Sequence, residues 1–196
     1  MTEFNLRLKA SVDANKFRYG YPWIYSNEII SDRRTKSLLP GSFCTLVDYN
    51  KNPICVVTVN PNSKIFARVM DYNLDTIINA YWLKDKISKA LAKRKEIFRD
   101  PFYRLVNAEA DELPGLIVDR FDNVIVMQPN AFWAENMSEI IANSIRDVCS
   151  IDVVIKNASG RARRLEGLDD KNSVFFGDLP EAAISVPMNG AIYKAC

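Results

Sequence analysis

Residues 104–121 read RLVNAEADELPGLIVDRF, and the secondary structure of the second half of the chain follows outward from this stretch. Its ends, 104–107 and 116–121, are apolar runs of strand length. The acid-rich centre closes on Pro114-Gly115, where proline presets φ and glycine tolerates left-handed backbone, so the segment reads as two strands around a solvated turn over 111–115. Asp122-Asn123 marks a second turn and 124–128 a third strand. Met137, Ile140, Ile141, Ser144, Ile145 and Val148 then recur at helical spacing, with Ser144 the one polar member of the stripe. Strand-like DVVIK (152–156), the polar SGRARRLEGLDDKN (159–172), and the strand-like SVFFG (173–177) and AAISVPM (182–188) complete an α+β pattern.

Toward the N-terminus the runs are short and β-type: FNLRLKA (4–10), SFCTLVDY (42–49), PICVVTVN (53–60) and KIFARVM (64–70). Tyr49-Asn50-Lys51-Asn52-Pro53 supplies hairpin chemistry between the second and third. The connection over 20–41, GYPWIYSNEIISDRRTKSLLPG, is long and basic, with a short helix expected at 27–30. From Leu74 the period changes: Leu74, Ile77, Ile78, Tyr81, Ile87, Leu91 and Phe98 share one face of a helix about 25 residues long, capped by Asn73 and ended before Pro101. The expected fold class is therefore mixed: an all-β unit over 1–72, then a small α+β unit over 73–196 entered by a linking helix over 73–100.

The 196 residues are 48% hydrophobic, enough for a sizeable core, yet no apolar run reaches the roughly 20 residues that span a bilayer. The first 17 residues, MTEFNLRLKASVDANKF, lack the apolar core and small-residue cleavage site of a secretion signal, so a cytoplasmic location is expected. Cys44, Cys55, Cys149 and Cys196 are spaced too irregularly for a zinc module and too sparsely for a disulfide scaffold. Cys44 and Cys55 sit in apolar runs and read as small buried hydrophobes. Net charge is +2, but residues 1–72 carry ten Lys+Arg against six Asp+Glu, and the remainder sixteen against eighteen. The positive field of the first unit favours phosphate-bearing partners.

No histidine is present, which removes Ser-His-Asp and Cys-His catalysis and the commonest transition-metal ligand. The closest two of the seven glycines are seven positions apart, so no phosphate-cradling or dinucleotide loop can be drawn. Glu109, Asp111, Glu112, Asp119 and Asp122 cluster in sequence and could hold a hard cation or serve as an acid/base pair; the favoured reading is a solvated turn and an Asp119-Arg120 surface pair. Two cation groups, Arg33/Arg34/Lys36 and Arg161/Arg163/Arg164, fall in expected loops and suit phosphate. Tyr19, Tyr21, Trp23 and Tyr25 lie near the first group and are open to two readings, as stacking platforms for unpaired bases or as core anchors.

Two segments carry a family resemblance: Pro22-Trp23-Ile24-Tyr25 and the run from Asp111-Glu112 through Leu113-Pro114-Gly115-Leu116-Ile117-Val118-Asp119-Arg120. They resemble the bacterial class I S-adenosylmethionine-dependent methyltransferases that make 5-methylcytosine in large-subunit ribosomal RNA. The likeness extends to Asn60-Pro61, Arg68 and Glu166-Gly167-Leu168; Tyr21 departs from it, since histidine is common there. The resemblance implies an N-terminal PUA pseudo-barrel, a small strand-rich α+β domain and a Rossmann-like catalytic domain, of which this chain corresponds to the first two. It carries no catalytic, cofactor or metal residue onto this chain, which alone is expected to be inactive, with S-adenosylmethionine implied for the longer protein. It implies structured, ribosomal RNA as partner, with Lys16, Arg18, Tyr21, Arg33, Arg34, Lys36, Arg68, Arg161, Arg163 and Arg164 as the candidate contacts.

The chain stops in the apolar run AIYKAC (191–196), which reads as a cut rather than a natural end. Two alternatives stand beside the targeting role: a self-sufficient RNA-binding module, and a dimerisation or interaction unit, with a homodimer as its partner.

Overall fold

A computed structural model describes residues 4–188 and 190–195; Cys196 lies outside them. In chain order the first half contains β1 (Asn5–Arg7), α1 (Asn15–Arg18), β2 (Trp23–Tyr25), α2 (Arg33–Lys36), β3 (Phe43–Val47), β4 (Pro53–Val59) and β5 (Ile65–Asp71). These strands form one sheet in the order β1-β3-β4-β5-β2, with β1 parallel to β3 and the remaining pairs antiparallel. Beyond the ladders, among the described residues, a single bridge, Leu8 to Ile29, joins the two edges. The hairpin at 48–52 turns on Lys51 at φ 71°, and Asp48 Oδ1 accepts the Asn52 N–H at 2.9 Å. Strand β4 is a nearly unbroken apolar run because both its faces are covered. Cys55, Val57 and Val59 enter the first core with Leu6, Phe17, Ile24 and Leu46, while Val56 points to the other side.

The second half contains α3 (Ala80–Ile97), β6 (Phe102–Asn107), a 3-10 turn (Ala108–Asp111), β7 (Leu116–Phe121), β8 (Val124–Pro129), α4 (Phe132–Asn136), α5 (Ser138–Cys149), β9 (Val153–Lys156), α6 (Arg161–Glu166), β10 (Ser173–Phe176), β11 (Ile184–Met188) and β12 (Ala191–Ala195). The second sheet runs β10-β9-β8-β7-β6. Strands β8 and β9 are parallel, which requires the crossover that α4 and α5 supply. Alternation in β7 and β8 turns Leu116, Val118, Ile125 and Met127 inward, against Leu83, Ile87, Ile141 and Ile145 of α3 and α5. Trp82 and Trp133 meet edge to face in this core, centroids 6.4 Å apart.

Several expectations change. The helix predicted at 27–30 is a turn, and the four-residue helix lies instead at α2, where Asp32 Oδ1 accepts the Thr35 N–H at 2.8 Å. Helix α3 starts at Ala80 rather than Leu74, because Asn79 Oδ1 accepts the N–H groups of Tyr81 and Trp82 at 3.0 and 3.1 Å. The polar loop at 159–172 contains α6.

The expected architecture, an all-β pseudo-barrel followed by a small α+β domain, is corrected. The first sheet is mixed, with helical turns in its loops, and the second is mixed as well. Val56 and Met70 of the first sheet belong to the same core as α3, β7 and α5, with Phe43 packed against it. Strands β4 and β5 thus bury apolar surface on both faces, one lining the core of the first sheet and the other, through Val56 and Met70, joining the core of the second half.

Candidate nucleic-acid interface

A cleft of about 680 Å³ lies where the two halves meet, between the β2–β5 edge, the 108–117 segment and α6. Cross-strand pairing sets Trp23 opposite Arg68, and Arg68 opposite Thr58, so these side chains share the face of the first sheet that looks toward the second half. The Trp23 Nε1–H donates to Glu109 Oε1 at 2.8 Å, bridging 86 positions of sequence. Beneath them the Glu166 carboxylate accepts from Asn60 Nδ2 at 2.7 Å, from Ser63 Oγ at 3.1 Å and from the Arg68 guanidinium. Glu166 and Arg68 are buried, so this ion pair with its extra donors ties α6 to the β4–β5 hairpin. Asn60-Pro61 and Glu166-Gly167-Leu168, which carried only resemblance in the sequence, are thus bonded to each other.

The 108–117 wall is held from behind. Trp133 Nε1–H donates to the Pro114 carbonyl at 2.8 Å, and the Asn130 N–H to the Gly115 carbonyl at 2.7 Å. The turn expected to be solvated is partly internal: Asp111 is 6% exposed, bonded to Arg94 and accepting the Asn107 N–H at 2.8 Å. Its neighbours diverge, Glu109 to Trp23, Glu112 to Lys86, and Asp119 to Arg104 at 2.9 Å rather than to Arg120. With a separate partner each, these carboxylates do not converge on a common cation.

The candidate contacts fall into four sets. Arg33, Arg34 and Lys36 are exposed on α2 and form no salt bridge among the described residues. Arg161 and Arg164 are exposed on α6, Arg161 at the cleft rim opposite Lys64, a cation the sequence reading passed over. Lys16 pairs with Glu28 and sits 5.0 Å from the Tyr21 ring centroid, Arg18 reaches Asp48 at 3.3 Å, and Tyr19 projects 87% exposed beside the partly open Tyr21. The Tyr21 hydroxyl, aided by burial, holds the Tyr25 phenol above its ordinary value.

Arg163 and Arg68 differ, because both are internal. Arg163 is fully buried, donating from Nε and Nη2 to the Asp169 carbonyl at 2.9 and 2.8 Å and from Nη1 to the Pro129 carbonyl and to Glu135 Oε2. A guanidinium with its donors filled inside protein is out of reach of a phosphate. Burial pushes the Cys44 and Cys55 thiols up to about 12 and raises Cys149, so these three are not thiolates near neutrality. A larger cavity of about 790 Å³ lies between the outer face of the second sheet and the β11–β12 hairpin. Its carboxylates Asp119 and Glu181 and a Lys156 already committed to Glu135 at 2.7 Å make it unsuited to phosphate.

Residues 6–72 match a PUA-like domain. Over 97% of its own length, PUA-like unit included, the chain is 29% identical across 203 residues to a ribosomal RNA large subunit methyltransferase of Deinococcus radiodurans, of which it covers 48%. It is 26% identical over 173 residues to ribosomal RNA large subunit methyltransferase I of Pseudoalteromonas translucida, covering 87% of this chain and 43% of that one. The chain therefore spans less than half the length of these curated relatives. Among solved structures it resembles a putative SAM-dependent methyltransferase from Streptococcus mutans, TM-score 0.79 at 14% identity, over 99% of this chain and 48% of that one. A putative methyltransferase complexed with SAH gives TM-score 0.77 at 14% identity, over 99% and 47%. These likenesses run through the PUA-like unit and everything after it as one match over 99% of the chain, which overturns the expected fold class of an all-β pseudo-barrel with only a small α+β domain after it. Among the described residues, no helix is long and apolar enough to cross a membrane.

Proposed function

We propose that this chain grips structured RNA on behalf of an S-adenosylmethionine-dependent methyltransferase that modifies carbon 5 of a cytosine in large-subunit ribosomal RNA. The observation that carries the reading is a PUA-like unit presenting Arg33, Arg34 and Lys36 together on one exposed helix without salt-bridge partners among the described residues. The relatives' names support the substrate, and a cytoplasmic location goes with it.

S-adenosylmethionine would supply the methyl group, but the described residues do not fit a nucleoside cradle. The glycines whose Cβ positions are crowded face protein: Gly41 faces Asn136 and α4, Gly115 faces Ala131, and Gly177 faces Asp152 and Val153. No residue of this chain is therefore assigned to the cofactor, and the role derived for it is to bind and orient RNA.

The test is affinity for a large-subunit ribosomal RNA hairpin across a salt series, with duplex DNA as competitor. Tight, salt-steep, RNA-preferring binding is expected, and changing Arg33, Arg34 and Lys36 to alanine should flatten the log–log salt slope by about 2–3, one contact each. Equal or negligible affinity for both nucleic acids would refute the reading.

A further inference from the structure

The cleft between the two halves contains groups that the general grip on RNA does not use. Trp23 forms part of its wall with the indole N–H fixed on Glu109, and Ile65, Ile117 and Leu165 add apolar surface. Lys64 and Arg161 stand at the rim, and neither forms a salt bridge among the described residues. The Glu109 carboxylate spends Oε1 on the indole, while Oε2 has no protein donor among the described residues. It is presented by a strained backbone: Ala108, the residue before it, sits at φ 47°, a left-handed conformation that residues other than glycine, asparagine and aspartate rarely adopt. The Leu113 N–H donating to the Ala108 carbonyl at 3.1 Å, and the Asn107 N–H donating to Asp111 Oδ2 at 2.8 Å, hold that conformation. Strain kept in place by surrounding bonds points to a purpose at the residue it aims.

We propose that this cleft is a subsite for one unstacked RNA nucleotide whose base carries an amino group, with Trp23 as the stacking surface, Glu109 Oε2 as the acceptor, and Lys64 and Arg161 on the flanking phosphates. The proposal rests on the RNA-gripping reading and deepens it. Its volume, about 680 Å³, falls in the range of roughly 300–1,000 Å³ typical of pockets that enclose one small ligand, and it is too confined for a helix. RNA is read by sequence chiefly where bases are unpaired and can stack on aromatic side chains, and every base offers a π-face. A carboxylate repels phosphate and accepts from an exocyclic amine, so the base faces Glu109 and the backbone faces the rim cations. Uracil, which presents carbonyl oxygens there, is disfavoured against cytosine, adenine and guanine.

The test uses this chain with single-stranded hexacytidylate and hexauridylate, followed by tryptophan fluorescence. Trp82 and Trp133 are buried, so quenching reports on Trp23. Hexacytidylate should bind about tenfold more tightly than hexauridylate, the discrimination of one good hydrogen bond. Glu109→Gln keeps an acceptor for the indole and should bring the two within about twofold, without changing the salt slope. Lys64→Ala and Arg161→Ala, at exposed positions, should weaken both oligomers alike and lower the slope by about one contact each. Quenching that persists in Trp23→Phe, or a hexacytidylate preference unaltered by Glu109→Gln, would overturn the subsite. Hairpin binding that stays salt-steep while no variant affects it would also overturn the subsite but leave the RNA grip standing; absence of binding to any RNA would refute both.

Discussion

Replacing Arg163 separates a structural arginine from a phosphate ligand. Arg163→Ala removes a fully buried guanidinium and strands three acceptors at once: the Pro129 carbonyl, the Asp169 carbonyl and Glu135 Oε2. Breaking a buried ion pair from one side costs about 3–5 kcal/mol. Glu135 is partly exposed and keeps Lys156 at 2.7 Å, which places the expected loss at the lower bound, about 3 kcal/mol. With a urea slope of about 2 kcal/mol per molar, the unfolding midpoint should fall by about 1.5 M. The shared core that contains Val56 and Met70 predicts a single transition for both halves. Arg163→Met restores volume but not the hydrogen bonds and should recover only part of the shift. In the same variants the salt slope of RNA binding should match the parent, whereas Arg164→Ala, at an exposed position, should leave the midpoint within about 0.2 M. A midpoint shift below about 0.3 M for Arg163→Ala, accompanied by the loss of one contact from the slope, would refute the argument from burial.

Gly115→Ala should destabilise by about 2 kcal/mol or more, because φ is 76° and the new Cβ would stand 2.7 Å from that of Ala131; thermal melting should fall by about 4–8 °C, and an unchanged melt would contradict the geometry. Stability should be flat from about pH 5.5 to 8, since the chain lacks histidine and the Cys44 and Cys55 thiols lie near 12. It should decline below about pH 4, because Asp32 is lowered by the Thr35 N–H, Asp48 by the Asn52 side chain, and Asp71 by the Trp82 indole and Lys86 against an opposing push from burial. Depressed carboxylates contribute stability above their unfolded pKa and lose it as pH falls through the folded one, so a melting temperature that changed steeply between pH 6 and 7.5 would contradict this assignment.

Local periodicity was enough to read the strands at 43–47, 53–59, 65–71 and 116–121 and helix α5, because a two- or 3.6-residue repeat is complete within its own segment. It misled at Leu74, Ile77 and Ile78, whose helical spacing is real but is overruled by the Asn79 cap. It failed at α6, where the buried residues are Arg163 and Glu166 and the apolar Leu165 is exposed, so the inward face is polar and the amphipathic pattern inverts. The basic composition of the first half was legible, but the commitment of each charge was not. Arg163 and Arg164 are adjacent, identical in chemistry and opposite in setting, because one meets Pro129, Glu135 and Asp169 while the other meets solvent. Trp23 and Glu109 meet across 86 positions only after the two sheets share a core. Short-range backbone preference is written residue by residue; the partner of a charge or an indole depends on which distant segment arrives beside it, and tertiary packing decides that.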